Sequence, residues 1–176
     1  MMLMIQIDVP SGVTVDIKDN TVTVKGSAGT NTRRMNDALL TAKKEGDRIT
    51  IDTVKEKALA KKAMKAEISV AKLLKNDMQG AQRPYEIKMK IVFAHFPINV
   101  EVKGASLYIN NMIGERVPRI SSIAGATKVE AKGTDVKVHG PSLDDVSQTA
   151  ANIRKACKIR NKDSRTFQDG LYYAIE

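Results

Sequence analysis

A chain of 176 residues that is 42% hydrophobic and 28% charged is long enough to bury a core, which excludes wholesale disorder. Twenty-nine Lys and Arg against 20 Asp and Glu leave a net charge of +9, which suits a polyanionic partner or a merely soluble basic protein. A single cysteine, Cys157, excludes an internal disulfide, and no stretch approaches the roughly 20 apolar residues that cross a bilayer, so a protein of a reducing compartment with no membrane partner is expected.

The opening Met1-Met2-Leu3-Met4-Ile5-Gln6-Ile7-Asp8 lacks a basic n-region and has too short an apolar run for a signal peptide. Val13, Val15 and Ile17 then alternate with polar residues, and Asp19-Asn20 turns the chain into Thr21 to Lys25. That pattern predicts a hairpin with one buried and one wet face. Thr30 to Arg34 and Ala38 to Leu40 are weaker strand candidates, and Glu45-Gly46-Asp47 turns into a strand from Arg48 to Asp52. Leu59, Ala63, Ala66, Val70 and Leu73 recur at helical spacing, with Lys57, Lys61, Lys65 and Lys72 on other faces. Gly80 to Pro84 reads as a join, followed by a strand-like connection from Tyr85 to Ala94. Further strands are expected at Asn99 to Lys103, Ser106 to Asn110, Thr127 to Ala131 and Thr134 to His139. Gly140-Pro141 stops the last of them, Ser142-Leu143-Asp144-Asp145 resembles a capping box, and Val146, Ala150, Ile153 and Cys157 form the stripe of a second helix.

The two halves are related. A shift of 87 residues places Val9-Pro10 on Phe96-Pro97, Gly46 on Gly133, and Ile49 and Ile51 on Val136 and Val138. The sequence therefore predicts an α+β chain of two tandem duplicated modules, residues 1–82 and 83–176, each a small, mostly antiparallel β-sheet packed with one helix.

No reaction chemistry is evident. Phosphate-loop and dinucleotide glycine patterns are missing, and Gly26-Ser27-Ala28-Gly29 reads as a plain turn. Cys157 falls on an apolar helix stripe, as a core thiol does. His95 and His139 stand apart in sequence from any spaced Cys or carboxylate, so neither a metal nor another cofactor is expected. Asp144-Asp145 sits in a first helical turn, where the dipole favours acids without any catalytic need.

Charge is more informative. Lys55 to Lys75 holds seven lysines and two glutamates, as ordinary solvated helices do. The stretch from Arg154 to Tyr173 differs, because Arg154, Lys155, Lys158, Arg160, Lys162 and Arg165 face the single acid Asp163 before Asp169. Arginine forks grip phosphates in two places, and neutral donors lie beside them. Arg160, Lys162 and Arg165 would neutralise phosphates, Asn161, Ser164 and Gln168 would hydrogen-bond, and Gly170 would permit a turn. Phe167 would pin the loop to the core or to a ribose, with Tyr173 in the strand beyond. The alternative is a solvated helix end whose cations complement the helix dipole. Aromatics at 4%, with no Trp, argue against a base-stacking platform and favour readout of phosphates and groove shape.

Two segments carry a resemblance. Tyr85-Glu86-Ile87-Lys88-Met89-Lys90-Ile91-Val92-Phe93-Ala94-His95-Phe96-Pro97-Ile98 and Asp163-Ser164-Arg165-Thr166-Phe167-Gln168-Asp169-Gly170-Leu171-Tyr172 are similar to the ribosomal protein L6 family in its archaeal and eukaryotic form. Val9-Pro10-Ser11-Gly12-Val13 and Val22-Thr23-Val24-Lys25-Gly26 resemble its start, and the lack of a eukaryote-like tail extension points to the archaeal branch. One departure is Ser27, where the family commonly carries a proline after the first glycine. The resemblance implies a duplicated α+β fold and a non-catalytic constituent of the large subunit. It also implies binding to large-subunit ribosomal RNA, chiefly through the second module over Lys155 to Tyr173, near the sarcin–ricin loop and the stalk base. Neighbouring large-subunit and stalk-base proteins, and translation factors docking nearby, are the implied partners, in cytoplasmic ribosomes. A free-standing basic RNA chaperone or regulator is the alternative reading.

Overall fold

The computed structural model describes residues 5–36, 39–46, 48–53, 60–163 and 165–174. By contact density the chain divides into two compact units, Met1–Pro84 and Tyr85–Glu176.

In the first unit the alternating stretch forms β2 (Thr14–Lys18) and β3 (Thr21–Lys25), with Val15, Val22 and Val24 buried. Asp19 and Asn20 link them with φ of 45° and 56°, the left-handed pair of a type I′ turn. The remaining elements are β1 (Ile5–Asp8), β4 (Thr30–Arg34), β5 (Leu40–Glu45), β6 (Arg48–Thr53) and α1 (Ala60–Gln82). The strands form two antiparallel sheets, β1-β6-β5 and β2-β3-β4.

The second unit repeats this plan. It contains β7 (Tyr85–Val92), β8 (Asn99–Lys103), β9 (Ser106–Asn110), β10 (Arg119–Ser122), β11 (Lys128–Lys132), β12 (Asp135–Gly140), α2 (Leu143–Ala156) and β13 (Gly170–Tyr173). Its sheets are β10-β9-β8 and β11-β12-β7-β13. Strand for strand the neighbours match those of the first unit, and β13 is the addition. Gly46 and Gly133, superposed by the shift of 87, both turn a hairpin with φ near 60° (63° and 59°). The tandem α+β duplication is real.

Several local readings need correction. The buried face of α1 carries Ala63, Ala71, Leu74, Met78 and Ala81, while Ala66, Val70 and Leu73 are only half-buried. Apolar spacing misplaced this face because two acids share it. Glu67 accepts a hydrogen bond from the Ile5 N–H (3.0 Å), and Asp77 binds the Arg33 guanidinium through both oxygens (2.6 and 3.0 Å). A buried charge is tolerated where it is so paired. Leu59 and Ala38 lie outside the described residues.

The first helix also outlasts the expected join at Gly80. Its final carbonyls are satisfied by the Gly26–Gly29 turn: the Ala28 N–H donates to the Ala81 carbonyl (2.8 Å) and the Ser27 hydroxyl to that of Gln82 (3.2 Å). Gly26 is required there because a Cβ would collide with the Ala81 carbonyl. What reads as a plain turn is a helix cap. The strand expected to connect the modules has both of its sheet neighbours, β12 and β13, in the second unit. Two strands fall outside the sequence reading: β1, whose Ile5-Gln6-Ile7-Asp8 alternates over only four residues, and β10, which has a single apolar residue, Ile120.

In α2 the reading holds. The Ser142 hydroxyl accepts from the Asp145 N–H (3.3 Å), and Val146, Ala150, Ile153 and Cys157 are all buried.

Candidate nucleic-acid interface

The duplication isolates the site by difference. A shift of 87 residues lays Glu67–Gln82, which is helical in the first unit, over Arg154 to Asp169. There α2 ends at Ala156 after 14 residues, against 23 in α1, and a loop runs on to β13. Arg154 and Lys155 occupy the last turn of α2, where cations complement the helix dipole. Cys157 caps the helix, and Asn161 takes the left-handed conformation (φ 60°) that helix cannot continue through.

Side-chain hydrogen bonds hold the loop at both ends. At the start, the Arg119 guanidinium donates to the carbonyls of Ala156 and Lys158, both at 3.0 Å. Glu115 grips the other edge of the same guanidinium at 2.6 and 2.8 Å. Hydrogen bonding from Arg119 holds the Glu115 carboxyl below its ordinary value, and the reciprocal bond raises the guanidinium above its own. At the far end, buried Asp169 accepts from the N–H groups of Ala94 (2.7 Å) and His95 (3.1 Å), and its second oxygen meets His95 Nδ1 at 2.7 Å. The His95 ring stacks on Phe167 with centroids 4.9 Å apart, and the Lys162 ammonium lies 4.7 Å from the same ring centroid.

Between these anchors the loop organises itself around Asp163. Its carboxylate accepts from the Arg165 N–H (2.9 Å) and its carbonyl from those of Thr166 and Phe167. The lone acid of the basic stretch is thus engaged with backbone, and it leaves the cations unneutralised. Arg154, Lys155, Lys158, Arg160, Lys162 and Arg165 are exposed, and none forms an ion pair among the described residues.

Beside the loop lies a groove of about 570 Å³, lined by residues of α2, the loop and β13. Arg154, Lys155 and Lys158 border it, along with Phe167, Gly170 and Tyr173. The Arg154 guanidinium lies over the Tyr173 ring, 5.6 Å from its centroid. Gly170 is buried with φ of 154° and stands in β13 as its first residue, paired with Val92, rather than in a turn. Arg160, Asn161, Lys162 and Arg165 project from the loop as exposed residues, and Ser164 lies outside the described residues. The Gln168 amide is partly engaged, donating to the Arg165 carbonyl (3.1 Å). Phe167 pins the loop to the protein through His95.

Burial lifts the Cys157 thiol to about 11, against the smaller opposing effects of the Leu171 backbone and Arg119, so it stays neutral and unreactive near pH 7. His95 finds a carboxylate 74 residues away in sequence, a partner no local motif announces. Nor does any motif mark Glu115 with Arg119, whose side chain is turned to the helix end.

The family model described as Ribosomal protein L6 matches this sequence twice, over residues 9–82 and 96–170. The chain belongs to that family. It is 41% identical over 169 residues to the Large ribosomal subunit protein uL6 of Methanocella arvoryzae, covering 95% of this chain and 93% of that one. A protein of the same name from Methanosarcina mazei is 40% identical over 94% of this chain and 93% of its own length. The corresponding protein of Ignicoccus hospitalis is 38% identical over 97% and 93%. The L6 chain described here is thus of the archaeal type, with its two family repeats falling one in each structural unit.

Proposed function

We propose that this chain is a constituent of the large ribosomal subunit whose second unit anchors it to large-subunit ribosomal RNA through the loop between α2 and β13. A ribosomal, structural role and RNA binding follow from the L6 family, whose archaeal members carry the name Large ribosomal subunit protein. The location is the finer reading. What supports it is a braced loop with four cations that continues from two more on the last turn of α2, all six without ion pairs among the described residues, where the other copy of the same fold has helix. Phosphate oxygens are the ligands such a loop suits, and braced cations lose less entropy on meeting them.

The RNA near the sarcin–ricin loop and the stalk base is the proposed target, with stalk-base proteins and docking translation factors as neighbours, in cytoplasmic ribosomes. The test is an Arg160→Ala/Lys162→Ala/Arg165→Ala variant bound to large-subunit RNA across a salt series. Removing one cation from a phosphate lowers the slope of log affinity against log salt by about one unit, so a fall of about three is expected. An unchanged affinity and slope overturns the assignment. Recovery of the wild-type chain away from large subunits in high salt favours a free-standing RNA chaperone instead.

A further inference from the structure

Low aromatic content argues against base stacking for the chain as a whole, yet its few aromatics are not evenly spread. Of seven Phe and Tyr residues, Phe167, Tyr172 and Tyr173 line the groove beside the basic loop. Backbone phosphates require cations and hydrogen-bond donors only. This groove has more. Its inner wall is mainly apolar, with Cys157 and Leu171 buried and Ile159 half-buried. Burial keeps the thiol uncharged, and the acid that also lines the groove, Asp169, is hydrogen-bonded to Ala94 and His95. Its rim is cationic. A volume of about 570 Å³ lies within the usual range for sites that take one small organic molecule.

The rings differ in availability. Phe167 carries the His95 ring on one side and approaches the Lys162 ammonium, so it is structural. Tyr172 and Tyr173 are 39% and 40% exposed. Arg154 lies over Tyr173, which sets a guanidinium plane next to a phenol ring, two surfaces on which a base stacks irrespective of its identity.

We propose that this groove receives one unpaired nucleotide of the bound RNA, its base against Tyr173 and Leu171 and its phosphate at Arg154, Lys155 and Lys158. The proposal rests on the RNA-binding reading above and adds a class of contact to it. The loop cations hold the backbone, and the groove requires a nucleotide out of its stack. A duplex without a bulged or looped residue therefore binds less tightly than one that has it.

The probes are 5′-AMP and ribose 5-phosphate, titrated into the isotopically labelled full-length chain while amide resonances are followed by NMR. AMP is expected to shift the resonances of Cys157, Ile159, Leu171 and Tyr173, and ribose 5-phosphate to leave them in place. A Tyr173→Leu variant, which preserves an apolar side chain in β13, is expected to lose the AMP shifts. Its affinity for large-subunit RNA should fall roughly tenfold with the salt slope unchanged, since a stacking surface is removed and every phosphate-binding cation is kept. Equal shifts with ribose 5-phosphate, or none with AMP, overturn the proposal. So does AMP entering the groove while the chain is saturated with large-subunit RNA, because the site would then serve a free nucleotide. If the triple loop variant loses RNA binding while Tyr173→Leu binds as wild type, the nucleotide site alone is refuted.

Discussion

Asp169 shows how one residue fixes the candidate site through hydrogen bonds within the protein. Burial by itself pushes its carboxyl up, but the Ala94 N–H, the His95 ring and the His95 N–H donate to it, and together they bring it below its ordinary value. A carboxyl depressed in the folded state contributes stability that is complete above its unfolded value, about 4, and is lost as pH falls through the folded value. Asp169→Asn keeps one acceptor oxygen and loses the charged partner of His95. We expect it to cost about 1–2 kcal/mol at neutral pH, with the gap from wild type closing as the pH is lowered below about 4. Tyrosine fluorescence during urea unfolding checks this, because all four tyrosines lie in the second unit and the chain has no Trp. Glu67 behaves oppositely: burial raises its carboxyl, the Ile5 N–H bond opposes this, and the charge of Asp52 adds to the rise. Nothing in the sequence separates these two acids. The hydrogen-bond partners that distinguish them lie 62 to 75 positions away.

At the scale of elements, legibility followed locality. The Asp19-Asn20 hairpin and the Ser142 cap were readable because the responsible hydrogen bonds lie within a few residues of the signal. The buried face of α1 was not, since Glu67 and Asp77 interrupt its apolar spacing and their partners come from β1 and β4. Apolar periodicity is lost only at Asn161, five residues beyond the end of α2 at Ala156, and the device that stabilises that end leaves no local signal. Arg119 reaches 37 and 39 residues along the chain to the carbonyls of Ala156 and Lys158, on either side of the capping Cys157. This side chain holds the start of the basic loop, so Arg119→Gln should loosen the loop while leaving all six exposed cations of the stretch in place. Affinity for large-subunit RNA is expected to fall about tenfold while the salt slope stays at the wild-type value. Arg119→Lys, which preserves charge but not the fork, should fall between the two. A reduced slope in Arg119→Gln would mean that the guanidinium itself meets a phosphate.

For the whole molecule, charge and site do not coincide. Residues 1–90 carry 17 bases and 11 acids, +6, while residues 91–176 carry 12 and 9, only +3. Half of the first surplus comes from α1, with five lysines and two acids, and both acids are turned into the core. Lys61, Lys65 and Lys72 are consequently exposed without an ion pair among the described residues, yet nothing braces them as Arg119 and Asp169 brace the loop. Such cations attract a polyanion at long range, and salt screens that attraction beyond about 8 Å at physiological ionic strength. Braced cations, by contrast, form contacts that must break on release. The two surfaces should therefore separate kinetically. Lys61→Gln/Lys65→Gln/Lys72→Gln is expected to slow association with large-subunit RNA at low salt, to leave dissociation unchanged, and to approach wild-type affinity as salt is raised. The loop variant should instead dissociate faster at every salt concentration. Stopped-flow association and competitor-chase dissociation at two ionic strengths distinguish them. Faster dissociation of the α1 variant would place a contact surface on the first unit, and the ranking of the two units would then reverse.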